Sequence, residues 1–136
     1  MSFALDAKLA ADTLFVGDFA LSRVLLMNDA RWDWLILVPR RAGLTELVDL
    51  ERDERAEVME EIARCGGGLR GLEGVEKVNV GALGNIVRQL HVHVVARRVG
   101  DAAWPGPVWG AGRALAYRPD EAAEKVEEFM QALGLG

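Results

Sequence analysis

The segment Arg88–Arg98 reads RQLHVHVVARR and holds both histidines of the chain, His91 and His93. In a β-strand successive side chains point to opposite faces. Leu90, Val92 and Val94 then share one face, and Gln89, His91, His93, Val95 and Arg97 share the other. Gln89, His91 and His93 project together, each roughly 6–7 Å from the next along the strand. Three roles compete for such a group. An amphipathic strand with its polar face in water needs no function, although Val95 on the same face argues against a wholly wet surface. Two imidazoles could hold zinc, but a third ligand would have to be a carboxylate, and no HExxH or cysteine pair accompanies them. A neutral imidazole is also a fair nucleophile near pH 7 and can form a covalent phosphoryl intermediate.

A chain of 136 residues has the size of one domain and buries about two-thirds of its extended surface. The formal net charge is −5, with the acidic residues spread along the chain. No basic patch invites a nucleic-acid backbone, whereas a small phosphorylated ligand needs only a local site. Cys65 is the single cysteine, which excludes an intrachain disulfide and a cysteine-based metal knot. The N-terminal MSFALDAKLAADTL reads as no secretory signal, and the apolar run WLILV is too short to span a bilayer. The expected location is cytoplasmic, with neither a membrane nor nucleic acid as partner.

The elements that must position the histidines follow from periodicity. A short helix is expected near Asp6–Ala11. TLFVGDF and LSRVLLMND read as two strands broken by a turn at Gly17-Asp18. Arg31-Trp32-Asp33 reads as a further turn, and WLILV as a buried strand ended by Pro39. Asp49–Leu72 has helical spacing through Leu50, Val58, Met59 and Ile62, and its acid-rich first turn suits the positive end of a helix dipole. Gly66-Gly67-Gly68 within it weakens the helix by about 1 kcal/mol each against alanine, so the helix frays there or packs closely on a neighbour. KVNVGA and QLHVHVV read as paired strands joined around Gly84-Asn85. Pro119-Asp120 opens an amphipathic helix through Val126, Phe129, Met130 and Leu133. Clustered strands with two interspersed helices indicate an α+β fold with a mainly antiparallel sheet.

Gln89-Leu90-His91-Val92-His93-Val94-Val95 resembles the signature of the histidine triad (HIT) superfamily, His-φ-His-φ-His-φ-φ with φ apolar, with glutamine in the first triad position. The resemblance extends upstream. VNVGALGNIVRQLHVHVVAR is similar to the family stretch in which an Asn-φ-Gly strand passes through a glycine turn into the histidine strand. LLMNDARWDWLILVPRR is similar to an earlier hairpin ending in Pro-basic-basic, and Trp104-Pro105 to a feature of some members. The match covers about Leu21 to Gly110.

This resemblance implies a single HIT-like domain over residues 1–136, with an antiparallel sheet of about five strands, two main helices and a homodimeric assembly. It implies a nucleotide hydrolase or nucleotidyl transferase acting at the α-phosphorus of a purine-type nucleotide or dinucleotide. His91 matches the nucleophile, which forms a nucleotidyl-imidazole that water then cleaves. His93 matches the residue that holds phosphate and orients the nucleophile. Asn85 falls where members touch phosphate, Asn28 where they bond the ribose hydroxyls, and Asn79 near the phosphate pocket. Gly84 belongs to the glycine turn whose N–H groups face phosphate. No metal or cofactor is required, because the nucleophile is a ring nitrogen. Each residue also has a plainer role: Asn28-Asp29 is a good turn pair, Gly81 and Gly84 suit a hairpin, and Asn79 can satisfy buried backbone.

Three departures bear on activity. Gln89 cannot donate a catalytic proton, although its amide can bond a phosphate oxygen or the neighbouring ring. Trp34 stands where many members have a further histidine, and Ala42 where some have one. Fewer titrating groups handicap amine leaving groups more than phosphate ones. They also leave open a nucleotide-binding module that is catalytically weak or inactive. Gly100–Tyr117, rich in glycine and tryptophan, covers either the site or a dimer partner.

Overall fold

The computed structural model describes residues 2–135. Its order is α1 (Ala7–Asp12), β1 (Thr13–Asp18), β2 (Ser22–Met27), β3 (Trp34–Pro39), a 3-10 turn (Leu47–Asp49), α2 (Arg52–Arg70), β4 (Lys77–Gly81), β5 (Val92–Arg97) and α3 (Pro119–Ala132). The five strands form one sheet in the order β1-β2-β3-β5-β4, and every neighbouring pair is antiparallel. This is the expected α+β architecture, an antiparallel sheet of five strands with two main helices.

The sheet is covered on both faces, which explains why its central strands read as unbroken apolar runs. Leu35 and Leu37 of β3 and Val92 and Val94 of β5 pack toward α2 and α3, against Cys65, Leu69, Phe129 and Leu133. Burial pushes the Cys65 thiol up to about 12, so it is an inert core group. On the other face Trp34, Ile36, Val38 and Val95 meet Leu9 of α1, Trp32 and Val108. Truncating Leu35 or Leu37 to alanine would cost about 2–5 kcal/mol, since neither has any solvent exposure.

Local chemistry places the element ends. The Asp6 carboxylate accepts from the N–H groups of Lys8 and Leu9, which caps α1. Glu51 and Glu54 form a capping box that starts α2 three residues later than the acid-rich pattern indicates. Pro119 opens α3, where its missing N–H costs no helical bond.

One expectation changes, and one open alternative is decided in favour of close packing. The Gly17-Asp18 pair lies within β1, and the chain reverses at residues 19–21. Gly17 sits where the β1–β2 register shifts, and an added Cβ would come within 3.0 Å of the Leu135 side chain. It serves a close approach rather than a turn. The triple glycine does not break α2. At Gly68 a Cβ would lie 3.2 Å from Leu133, so the helix passes close to the C-terminal end of α3.

Candidate active site

His93 lies within β5, opposite Ile36 on β3 and Gly81 on β4. Regular strand begins only at Val92, so Gln89 and His91 belong to the connection over residues 82–91. The alternation nevertheless carries into it, and the His91 and His93 rings meet edge to face, 4.9 Å between centroids. Both residues are buried, each 6% exposed.

Hydrogen bonds fix which nitrogen of each ring carries the proton. His91 Nδ1 lies 2.7 Å from the Gln89 carbonyl oxygen. A carbonyl only accepts, so Nδ1 carries the hydrogen and the neutral ring keeps its lone pair on Nε2. His93 is the opposite case. The Trp34 indole N–H donates to its Nδ1 over 3.0 Å. An indole nitrogen only donates, so Nδ1 is bare and Nε2 holds the hydrogen. Burial, with His91 as a second cause, pushes the His93 pKa down to about 3. The pair therefore offers one lone pair and one N–H donor.

Both rings line a cleft of about 470 Å³ whose walls include Trp109, Leu83, Gly84, Asn85 and Ile86. Gly84 has φ +72°, a left-handed conformation that suits glycine in this turn. A second cleft of about 530 Å³, lined by Asn28, Asp29, Arg31 and Ala111, shares Lys8, Asp12, Met27, Trp34 and Gly110 with the first. The two join into one groove with an imidazole end and a polar end, each within the size range of small-ligand sites.

The segment over residues 98–118 covers this groove. Trp109 stands edge-on to His93 at 5.5 Å between centroids. It fits because residue 81 is glycine: a Cβ there would lie 3.0 Å from the indole. Farther along, the Ala111 carbonyl accepts from Arg31, and Tyr117 N–H donates to Asn28 Oδ1. Residues of this segment therefore line both clefts of their own chain.

The structure brings His91, His93, Asn85 and Gly84 to one end of the groove and Asn28 to the other. Two expected residues are used differently. Gln89 lines neither part of this groove but a smaller cleft of about 150 Å³ that it shares with Gly84 and His91; its Oε1 accepts from Asp6 N–H, and its Nε2 donates to the Ala4 carbonyl. The amide that was to bond phosphate or the neighbouring ring ties the N-terminal segment down instead. Because Asp6 caps α1, Gln89 also holds the helix that supplies Lys8, Leu9 and Asp12 to the groove. Asn79 does not line the groove either. Its Oδ1 accepts from Arg97, a buried guanidinium also held by Asp101. Its amide satisfies a buried charge, where a backbone partner was the plainer expectation.

Sequence reasoning missed Trp34 as a partner of His93, and Trp109, Lys8 and Asp12 as lining. The available signal for Trp34 was its place where many family members have a further histidine. Among the described residues no group of three or more His, Cys, Asp or Glu side chains is placed to hold a metal ion. Nor is any helix among them long and apolar enough to cross a membrane.

A family model described as the HIT domain matches residues 8–100. A histidine triad protein from Sinorhizobium meliloti is 47% identical, with a TM-score of 0.92 and 96% of each chain covered. One from Bradyrhizobium japonicum is 42% identical, with a TM-score of 0.94 over 98% of this chain and 99% of that one. One from Marinobacter aquaeolei is 41% identical, with a TM-score of 0.96 over the whole of both chains. Comparison with curated proteins gives no match. The matched domain and these whole-length likenesses show that the chain belongs to the histidine triad family.

Proposed function

We propose that the protein is a nucleotide hydrolase or nucleotidyl transferase that works through a covalent nucleotidyl-histidine at His91. The carrying observation is the hydrogen bond from His91 Nδ1 to the Gln89 carbonyl, which leaves the Nε2 lone pair for the cleft. Family membership supports a role in nucleotide binding, hydrolysis or transfer; the residue roles are our reading of the geometry.

In this reading the nucleotide lies along the joined groove. Asn28 has its Oδ1 engaged by Tyr117, and its NH2 group donates to a ribose oxygen. The phosphate sits beside Asn85, the Gly84 turn and the Nε2–H of His93. His91 Nε2 forms a bond to the α-phosphorus while the bond to the leaving oxygen breaks and its electron pair departs with that oxygen. Water then attacks the phosphorus, the P–N bond breaks, the water proton is released, and His91 returns to its neutral form. Fixed N–H donors aimed at phosphate oxygens stabilise the charge that grows in both steps.

The leaving group sets the substrate class. The Gln89 amide is engaged with backbone and supplies no proton. Phosphoanhydrides, whose leaving group departs as an anion, should therefore be turned over better than phosphoramidates, whose amine requires protonation. Mixing the protein with a diadenosine polyphosphate and quenching should trap acid-labile nucleotide on the chain. His91→Asn should abolish this adduct and lower turnover at least ~1000-fold, with nucleotide affinity nearly unchanged. A strong preference for adenosine phosphoramidate would overturn the leaving-group assignment. The engaged Gln89 side chain also favours a second reading, a binding module without turnover. Nucleotide binding with neither adduct nor turnover would establish that reading in place of the first.

A further inference from the structure

We propose that Trp34 is a positioning residue for this reaction: its indole N–H holds His93 as the neutral Nε2–H tautomer, making that ring a fixed hydrogen-bond donor to phosphate rather than a proton carrier. The inference rests on the reading of the groove as a nucleotidyl-transfer site. It goes beyond that reading by giving a task to a residue with no reactive group of its own.

The geometry follows from strand register. Trp34 pairs with Val95, and its neighbour on the same face of β3, Ile36, pairs with His93. Trp34 and His93 are therefore diagonal neighbours on one face, close enough for large rings to meet. Their centroids lie 5.6 Å apart, and the indole nitrogen is 3.0 Å from Nδ1. Trp34 is itself held edge-on by Trp32 at 6.1 Å, while Trp109 closes the far side of His93. His93 thus sits between two indoles with little freedom to turn.

An indole is a permanent donor and never an acceptor. A histidine in its place could reverse the bond by changing tautomer or charge, and Trp34 cannot. A proton added to Nδ1 of His93 would point at the Trp34 N–H, so protonation is opposed by geometry as well as by burial. The charged or titratable groups lining the same cleft are His91, ahead of β5, and Lys8 and Asp12 on α1. From β2, β3 and the segment over residues 98–118, the cleft receives Met27, Trp34 and Trp109, none of which titrates near neutral pH.

The test reads the tautomer directly, without substrate. In the full chain, nitrogen NMR of His93 should show a bare Nδ1 and a protonated Nε2 from pH 8 to 5. Trp34→Phe keeps an aromatic ring and removes the donor. It should give a mixture of tautomers and bring His93 protonation to higher pH. The acid limb of kcat should move up with it, and kcat should fall roughly ten- to a hundredfold, as for a misdirected transition-state donor, with KM changing less. Site-specific benzothienylalanine at position 34 keeps the bicyclic shape without an N–H and should reproduce these effects if Trp34→Phe disturbs packing. A folded benzothienyl variant with wild-type tautomer, or with a scrambled tautomer and unchanged kcat, overturns the proposal. The predicted tautomer shift in a protein that forms no nucleotidyl adduct would instead overturn the reaction and leave Trp34 as the residue that sets the ring.

Discussion

His93 and Arg97 lie on the same face of β5, separated by Val95, and the two ends of that face are built on opposite principles. At the Arg97 end the polar groups are paired. The guanidinium makes two bonds to Asp101 and one to Asn79, and lies over the Trp104 ring. At the His93 end one nitrogen of each imidazole is engaged and the other is left for the groove. Both ends are buried, so burial alone does not mark a site. What distinguishes them is hydrogen-bonding capacity left unused beside a cavity, which is costly in a core and useful where a ligand will complete it.

The loss of nucleotidyl adduct in His91→Asn is the largest effect expected at the open end. At the closed end the largest is Arg97→Ala, which takes both guanidinium bonds from the largely covered Asp101 carboxylate and leaves it only the N–H groups of Arg98 and Ala103. It should destabilise the fold by roughly 3–5 kcal/mol and lower Tm by about 10–15 °C in thermal melts. Turnover per folded molecule should stay close to wild type. A variant of normal Tm and abolished turnover would erase the distinction between the two ends. Asn79→Ala removes one acceptor from the same guanidinium and should cost about 1.5–3 kcal/mol by urea titration, with KM for nucleotide unchanged. A raised KM at full stability would return Asn79 to the phosphate pocket.

The smallest effect sharpens the contrast, because the two ends lose stability in different pH windows. His93 has a folded pKa depressed to about 3, below the ordinary histidine value near 6.5. Between those values the unfolded chain binds the proton and the folded chain does not, so stability falls as pH drops from about 6.5. The Arg97 guanidinium holds the Asp101 carboxyl well below the usual carboxylate range. Its contribution is complete above about pH 4 and declines only as pH falls further. Unfolding measured from pH 7 to 5 should therefore show a shallower slope in His93→Gln and an unchanged slope in Arg97→Ala. Equal slopes in wild type and His93→Gln would show that the ring is not held neutral.

Much of the fold was legible because it is local. WLILV is apolar throughout because both sides of β3 are covered, and Pro119 marks a helix start through its own covalent geometry. The histidine strand declared its two faces by alternation, which survives even though Gln89 and His91 precede the regular ladder. Gly17 was harder, since a glycine needed for a close approach looks in sequence like one needed for a turn. For the site, residue type and spacing showed two neighbouring imidazoles and a turn at Gly84-Asn85, while the roles expected of them came from the family resemblance. Asn79 and Gln89 were not legible, because a carboxamide bonds phosphate, guanidinium or backbone equally well.

Sequence alone therefore determined the strand faces, the main helices and the presence of two imidazoles side by side, because periods of two and 3.6 residues are written into neighbouring positions. Tertiary structure alone decided what each polar group does. The partner of Gln89 is 83 residues away at Asp6, and the partner of His93 is 59 residues away at Trp34. Bonds between such distant positions leave no periodic trace. The sheet order places β3 beside β5, and the register within that pair turns a tryptophan at a strand start into the group that selects a histidine tautomer.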